Sequence, residues 1–255
     1  MNYSIKKEAG FDYIEEGSGD VIVLLHGLFG ALSNFEHVIS QFKDRYRVVI
    51  PLLPIYTISL KKANLEGLTL YFEEFLAMKG ISRFSIIGNS LGGHLALVYS
   101  LKHPEKVENL ILTASSGLFE NSMGSSFPKR GSYEFVKNRV EYTFYDPDVA
   151  KEDYIQNVFE ITSSIPKCLR IVSFAKSAQR QNLAEQLPNL KTRVLLVWGL
   201  NDTITPPFVA YEFNRLLPNS TLRFIDKCCH APMMERPEEF NVILEDFLLK
   251  EPVKV

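Results

Sequence analysis

Short runs made largely of consecutive apolar residues recur along this chain of 255 residues, and segments of helical periodicity separate them. The runs are VIVLL (21–25), RVVI (47–50), FSIIG (84–88), VENLILTA (107–114) and RVLLVWG (193–199). Strands without polar positions are typical of a parallel sheet that is covered on both faces. The sequence TLRFID at 221–226 alternates more, which favours a position near the sheet edge.

Two further strands, at 3–8 and 11–16, predict a hairpin that turns at the dipeptide between them. Helical patterns lie between the apolar runs, among them 66–79 and 91–103. Strands that alternate with helices predict an α/β fold, with a mostly parallel central sheet of about eight strands and helices on both faces.

One stretch, from 117 to 188, contains no strand-like run and has the pattern of successive helices. At roughly 70 residues it is too long for an ordinary connection between two core strands. We therefore predict a core formed by 1–116 and 189–255, and an inserted helical cap, or lid, formed by 117–188.

The sequence Gly88-Asn89-Ser90-Leu91-Gly92 is a G-x-S-x-G motif placed where the strand FSIIG passes directly into a helix. A serine on so sharp a turn projects its side chain outward, and the flanking glycines let the strand and helix backbones approach each other. The serine would also lie at the positive end of the following helix, which stabilises an alkoxide. Ser90 is therefore the predicted nucleophile.

A serine hydroxyl needs a base to remove its proton, and the chain offers five histidines. His37 and His103 belong to predicted helices and are most simply surface residues. A helix would hold His94 behind the serine, and His26 suits the shaping of a loop. His230 follows the last strand and should lie at the carboxyl end of the sheet, where open α/β sheets bind their ligands. We assign the base to His230.

The imidazole in turn needs an acid that fixes its tautomer and stabilises the imidazolium. Asp202 follows the strand RVLLVWG and should reach the same edge of the sheet. Asp226 is the competing acid, but it is too near His230 along the chain to face it comfortably. The order Ser90, Asp202, His230 is also the order expected for this architecture. These three residues form the predicted triad.

A tetrahedral intermediate requires hydrogen-bond donors for its oxygen. One predicted donor is the backbone N–H of Leu91, the residue after the nucleophile. The other is the backbone N–H of Leu28, in the glycine-rich loop after the strand VIVLL, with Phe29 as the second choice. The predicted substrate pocket includes Phe29, Asn89 and Ala231.

Charge and cysteine content argue against several functions. The chain has 28 basic and 30 acidic side chains, so it has no positive surplus with which to bind nucleic acid. Three cysteines, of which Cys228 and Cys229 are adjacent, do not fit a disulfide-stapled fold, and a zinc site would need a second pair. Since no phosphate-binding glycine motif occurs either, we predict no metal and no cofactor. The sequence does not indicate an oligomeric state.

The first twenty residues carry charges within any window that an apolar export signal would need. The most apolar stretch, 21–32, is interrupted by His26 and two glycines and is too short to span a bilayer. We expect a cytoplasmic protein with no membrane association.

At four places the chain resembles the α/β-hydrolase fold family, in its capped, lipase-like branch. The matching stretches are HGLFG (26–30), GNSLGG (88–93), WGLND (198–202) and CHAPMMERPEEF (229–240). The resemblance implies hydrolysis through an acyl-enzyme, with Ser90 as nucleophile, His230 as base and then acid, and Asp202 as the residue that orients the imidazole.

The chain also departs from this pattern. Residues 51–56 replace a D-x-x-G-x-G-x-S-type loop that is frequent in the family. GNSLGG resembles the elbow of C–C bond hydrolases that act on meta-cleavage products, but Ala231 stands where a tryptophan is common in them. Only Arg130 and Arg139 are candidates for their cap arginine. A serine at the elbow differs from the carboxylate nucleophile of haloalkane dehalogenases and epoxide hydrolases.

Three functions remain open. The leading hypothesis is a serine hydrolase that cleaves a small or medium carboxylic ester. The alternative on the same triad is hydrolysis of a C–C bond, or perhydrolysis. A protein of another class, a ligand-binding receptor with very slow turnover, would keep the same fold. Aromatic residues are frequent in 117–188, which favours a small-molecule substrate with an apolar acyl or aromatic group.

Overall fold

Eight strands form one sheet in the order β1-β2-β4-β3-β5-β6-β7-β8. The structure, a computed structural model, describes residues 3–30, 32–119 and 131–249. The strands are β1 (Lys6–Glu8), β2 (Phe11–Glu16), β3 (Asp20–Leu25), β4 (Tyr46–Pro51), β5 (Phe84–Asn89), β6 (Val107–Thr113), β7 (Arg193–Gly199) and β8 (Ser220–Ile225). The first two strands pair antiparallel, and all pairs from β4 to β8 are parallel. The predicted fold class is therefore confirmed, with β8 at the edge.

Nine α-helices within the described ranges surround this sheet. They are α1 (Glu36–Phe42), α2 (Leu65–Met78), α3 (Leu91–Lys102), α4 (Tyr133–Glu141), α5 (Glu152–Ser163), α6 (Ile165–Arg180), α7 (Pro207–Leu216), α8 (Pro232–Glu235) and α9 (Pro237–Leu249). They enclose two apolar cores, one on each face of the sheet. Val23 and Leu25 pack into one core, and Ile22 and Leu24 pack into the other. Both faces of β3 are thus buried from Ile22 to Leu25, which explains why its sequence has no polar position after Asp20.

The N-terminal hairpin turns where the sequence predicts. Ala9 and Gly10 have φ angles of 49° and 86°, and a two-residue turn of type I′ requires positive φ at both positions. The first strand is shorter than the predicted 3–8, because it pairs only from Lys6 onward. It is an exposed edge strand made of charged residues, which is how proteins commonly limit pairing at a sheet edge.

Residues 114–192, between β6 and β7, contain α4, α5 and α6, and we call them the β6–β7 segment. Its described residues contain helices and no strand, as the sequence predicts. Phe174 of α6 is fully buried in the core beside α2 and α3, whereas Val136 of α4 and Ile155 of α5 join the core on the other face. The segment therefore spans the carboxyl edge of the sheet.

None of the helices within the described ranges has the length and the apolar character that crossing a bilayer requires.

Candidate active site

Ser90 lies at the junction of β5 and α3. Its backbone has φ of 55° and ψ of −119°, a conformation that residues other than glycine rarely adopt. The close approach of strand and helix depends on glycines. A Cβ atom at Gly88 would lie 2.5 Å from the Gly92 carbonyl oxygen, and one at Gly92 would lie 2.2 Å from the Leu25 carbonyl oxygen. The sharp turn predicted from the motif is present, and Ser90 lines a cavity.

The side chains of Asp202 and His230 are in direct contact, and the Asp202 side chain is fully buried. The imidazole Nδ1 donates to Oδ2 of the carboxylate at 3.0 Å and lies 3.3 Å from Oδ1. Oδ1 also accepts the amides of Ile204 and Thr205 at 2.8 and 2.9 Å, and Oδ2 accepts the Thr205 hydroxyl at 2.8 Å. Because a carboxylate accepts hydrogen bonds, the Nδ1 that faces it carries a proton, and Nε2 is the nitrogen left to accept one.

His230 and Ser90 line the same cavity. The Ser90 hydroxyl makes no hydrogen bond to the described residues. Hydrogen bonds between a nucleophile and its base are often long without substrate and shorten when substrate binds. The competing acid, Asp226, is exposed at the end of β8, and Asp202 is the carboxylate that contacts the imidazole.

The other histidines have different partners. His26 is buried, and its Nδ1 donates to the Gly27 carbonyl at 2.9 Å while its Nε2 accepts the Leu53 amide at 3.1 Å. It thereby fixes the loop after β3 to the loop after β4, the shaping role expected from the sequence. His103 contacts Glu73 at 2.8 Å.

His94 is fully buried on α3, one turn after Ser90. Its ring lies 3.4 Å from the Ser116 hydroxyl, and His94 does not belong to the cavity lining that contains Ser90 and His230. Burial penalises the charged ring and lowers the pKa of His94 from its usual 6.5 to about 4. The ring therefore remains neutral in the folded protein at pH values at which an exposed histidine is charged.

This difference should make stability depend on pH. Between pH 6.5 and 4 the unfolded chain protonates His94 and the folded chain does not, so the free energy of unfolding decreases as the pH falls through this window. Between pH 7 and pH 4.5 we expect this one residue to contribute a decrease of about 2 kcal/mol. Urea unfolding at pH 7 and pH 4.5 measures it. His94→Leu should flatten the dependence, and the matched change at the exposed His37, His37→Leu, should not; equal slopes in both variants would contradict the assignment.

The predicted oxyanion donors lie on two elements that meet at Ser90. Leu91 is the first residue of α3, where amides have no acceptor within the helix. Leu28 lies in the loop after β3 and lines the cavity. The Gly27 carbonyl in that loop accepts the Gly30 amide at 3.1 Å, in addition to the His26 ring. A Cβ at Gly30 would lie 2.6 Å from the His26 Cβ, so this tight turn requires glycine.

The backbone around His230 is braced from several sides. The Asn89 amide group donates to the carbonyls of His230 and Thr113, both at 3.1 Å. The His230 amide donates to the Thr143 carbonyl, in the β6–β7 segment, at 3.2 Å. Asn89 was predicted as a pocket residue, and it also connects the nucleophile strand to the histidine loop.

Glu235 is a buried carboxylate that the sequence reasoning missed. Its Oε1 accepts the amides of Cys229 and Ala231, on either side of His230, at 3.0 and 3.2 Å. Its Oε2 accepts the amide of Tyr145, in the β6–β7 segment, at 2.7 Å. Burial raises the pKa of this carboxyl group, whereas the three amides oppose that shift. An acidic residue in a charged loop gives no sequence signal for such a role.

A cavity of about 210 Å³ lies between the sheet edge and the β6–β7 segment. Most of its lining is apolar. Besides Ser90 and His230, the predicted residues Leu28, Phe29, Asn89 and Ala231 line it, whereas Leu91 is buried behind the wall. Further lining residues from the segment include Phe135, Arg139, Val140, Phe144, Tyr154, Val158, Cys168 and Ile171.

The two arginines considered from the sequence differ in what the structure shows. Arg130 lies outside the described residues. Arg139, on α4, lies at the cavity wall, with an exposed side chain whose guanidinium is 5.4 Å from the centre of the Tyr142 ring. It forms no salt bridge with an acidic residue in the described part of the chain.

All three cysteines are buried and free. Burial raises the pKa of the Cys228 and Cys229 thiols, which suits packing residues. Within 3–30, 32–119 and 131–249, no group of three or more His, Cys, Asp or Glu side chains is arranged to hold a metal ion.

The α/β-hydrolase fold family matches residues 20–237 of this chain, which is most of its length. The chain belongs to the α/β-hydrolase family. This α/β hydrolase is 41% identical to MGS-MChE2, an α/β-hydrolase enzyme from a sediment metagenome of the Mar Chica lagoon, Morocco, with a TM-score of 0.80 over 96% of this chain and 97% of the other. The family resemblance inferred from the four sequence motifs is thus confirmed, and with it the expectation that the protein is an enzyme.

Other relatives have more specific names. The 2-hydroxy-6-oxo-6-phenylhexa-2,4-dienoate hydrolase of Comamonas testosteroni is 27% identical over 260 residues, which cover 92% of this chain and 90% of that protein. The meta-cleavage product hydrolase CumD has a TM-score of 0.84 over 96% of this chain and 97% of its own, at 20% identity. At that identity the likeness to CumD shows the fold alone.

Proposed function

We propose that this α/β hydrolase is a serine hydrolase that cleaves a small or medium carboxylic ester through an acyl-enzyme. The observation that carries the proposal is the contact of 3.0 Å between His230 and the buried Asp202, beside the strained Ser90 on one cavity. An imidazole held by a carboxylate, beside a serine that lines the same cavity, is the arrangement that activates an alcohol for acyl transfer.

In this mechanism Nε2 of His230 takes the hydroxyl proton as Ser90 Oγ attacks the ester carbonyl carbon. The carbonyl oxygen becomes an oxyanion, which the amides of Leu28 and Leu91 stabilise. His230 then donates the proton to the leaving alkoxide, and the acyl-enzyme remains. His230 then takes a proton from a water molecule as the water attacks the acyl carbon. As the bond from the acyl carbon to Ser90 Oγ breaks, His230 donates this proton to Oγ, and the product acid and the free enzyme are formed. Asp202 stabilises the imidazolium in both halves of the cycle.

The cavity supports a small apolar substrate. Its volume of about 210 Å³ is below the ~300–1,000 Å³ usual for sites that hold drug-sized ligands. Half of its lining residues come from the β6–β7 segment, and we propose that residues 117–188 of this segment act as the cap over the core formed by 1–116 and 189–255. A short acyl chain or a single aromatic ring fits such a wall best.

Hydrolysis of a C–C bond on the same triad is the second candidate. Arg139 at the cavity wall would bind the carboxylate of a dienoate substrate, and the relative from Comamonas testosteroni is named for such a substrate. Ala231 lines the cavity at the position where the C–C hydrolases commonly have tryptophan. We therefore rank ester hydrolysis first.

An assay of both substrates on one preparation tests this ranking. We expect kcat/KM for nitrophenyl butyrate to exceed that for 2-hydroxy-6-oxo-6-phenylhexa-2,4-dienoate, and Arg139→Gln to leave ester hydrolysis within twofold. Lys137→Gln, which removes a cation of α4 outside the cavity lining, is the matched control. The ranking would be reversed if the wild type cleaved the dienoate faster than the ester, and if Arg139→Gln but not Lys137→Gln lowered kcat/KM for the dienoate about tenfold or more. Labelling of Ser90 by a fluorophosphonate without steady-state turnover of either substrate would instead favour a receptor.

A further inference from the structure

Tyr154 and Tyr56 hold two successive carbonyls of the loop that carries Leu28. The Tyr154 hydroxyl, on α5 of the β6–β7 segment, donates to the Phe29 carbonyl at 3.2 Å. The Tyr56 hydroxyl, from the loop after β4, donates to the Leu28 carbonyl at 2.5 Å. Burial raises the pKa of both phenols, that of Tyr154 to about 12. Both groups therefore remain hydrogen-bond donors at neutral pH.

These contacts fix the directions of amides as well as of carbonyls. In a trans peptide group the C=O of one residue and the N–H of the next point in opposite directions. The Phe29 carbonyl, held by Tyr154, shares its peptide group with the Gly30 amide. That amide donates at 3.1 Å to the Gly27 carbonyl, which shares its peptide group with the Leu28 amide. Two peptide groups thus connect the Tyr154 hydroxyl to the Leu28 N–H.

We propose that Tyr154 is a positioning residue for the oxyanion hole, acting on the Leu28 amide through this relay. This inference rests on the proposed function. Each hydrogen bond in a chain polarises the next, so the phenol strengthens Leu28 as a donor as well as orienting it. Because Tyr154 belongs to α5, the donor is fully organised only while α5 lies against the loop. The β6–β7 segment therefore contributes to the chemical step as well as to the cavity wall.

Tyr154→Phe tests the relay. The ring packs edge-on against Phe144, with centroids 6.2 Å apart, and phenylalanine keeps this packing while it removes the hydroxyl. We expect kcat for nitrophenyl butyrate to fall about five- to tenfold, with KM within twofold. The affinity for 2,2,2-trifluoroacetophenone, whose adduct with Ser90 carries an oxyanion, should fall by the same factor. In an acyl-enzyme trapped at acid pH, the acyl carbonyl stretch should move to higher frequency.

Tyr133→Phe is the matched control. The Tyr133 hydroxyl also donates within the β6–β7 segment, to Glu152, but Tyr133 does not line the cavity. The Tyr133→Phe variant should match the wild type in kcat, inhibitor affinity and acyl carbonyl frequency.

If Tyr154→Phe folds poorly, site-specific 3-fluorotyrosine at position 154 replaces it as the test. This residue is a stronger hydrogen-bond donor of nearly the same shape, so kcat should stay the same or rise. A loss of kcat in this protein would overturn the proposal.

Tyr56→Phe separates the two amides of the loop. The Tyr56 hydroxyl donates to the Leu28 carbonyl, whose peptide group contains the Phe29 N–H. Tyr56→Phe should therefore reduce the affinity for the trifluoromethyl ketone less than Tyr154→Phe does. The reverse order would make Phe29 the donor and overturn the relay. A wild-type protein that neither hydrolyses the ester nor reacts with a fluorophosphonate would refute the proposed function. An active wild type with an unchanged Tyr154→Phe variant would refute the relay alone.

Discussion

Ser90→Ala is expected to lower kcat/KM for ester hydrolysis by about 10⁴-fold or more, since it removes the oxygen atom that forms the proposed acyl-enzyme. Alanine keeps the Cβ atom, so it tolerates the positive φ of the elbow about as well as serine does. The free energy of unfolding should therefore change by about 0.5 kcal/mol or less. Steady-state hydrolysis of nitrophenyl butyrate, with urea unfolding of the same samples, measures both quantities.

Ser59→Ala is the control for this prediction. Ser59 is exposed, makes no capping hydrogen bond and lies outside the cavity lining, so its substitution should leave the rate unchanged. Labelling by a fluorophosphonate should disappear in Ser90→Ala only. If the Ser90→Ala protein retained more than about a hundredth of the wild-type activity, a loss far smaller than triad deletions cause, Ser90 would not be the nucleophile.

The second large effect is expected from Asp202→Asn, which should lower kcat by about 10³- to 10⁴-fold. The asparagine oxygen could still accept the amides of Ile204 and Thr205, which leaves the NH₂ group facing His230. An NH₂ group donates to Nδ1, and the ring then carries its proton on Nε2. In that tautomer His230 cannot take the proton of Ser90.

Asp226→Asn is the matched variant, because Asp226 is the other aspartate near His230 along the chain and is exposed. It should retain wild-type activity at every pH tested. A larger loss of kcat in Asp226→Asn than in Asp202→Asn would exchange the two assignments. Unfolding measurements on both proteins show whether a loss of stability, rather than the tautomer, accounts for the change in rate.

The features that the sequence predicts well depend on local patterns. The apolar runs became parallel strands because both sheet faces are covered, and the G-x-S-x-G motif predicts the elbow because its glycines are needed within a few residues of Ser90. Asp202 and His230 each follow a parallel strand, so a single rule about strand ends brings them to one edge. The core and cap boundaries remain predictions.

The features that were missed depend on contacts between distant segments. Glu235 binds the Tyr145 amide across 90 positions, and Tyr154 binds the Phe29 carbonyl across 125. In both cases a side chain forms a hydrogen bond with a main-chain group. Because nearly every residue type has the same main-chain groups, the amino acid at the partner position does not reveal the contact. The place of Arg139 at the cavity wall likewise depends on how α4 lies over the sheet.

The hydrogen bonds around residues 142–145 limit where the proposed cap, the β6–β7 segment, can hinge. Thr143 accepts the His230 amide, Tyr142 accepts the Thr203 hydroxyl at 3.3 Å, and Tyr145 donates to Glu235. Lifting this corner would leave a buried carboxylate without one of its donors and would displace the imidazole. We therefore expect substrate to enter at the opposite end of the segment, with residues 142–145 as the pivot. His230 would then keep its position while the cavity is open.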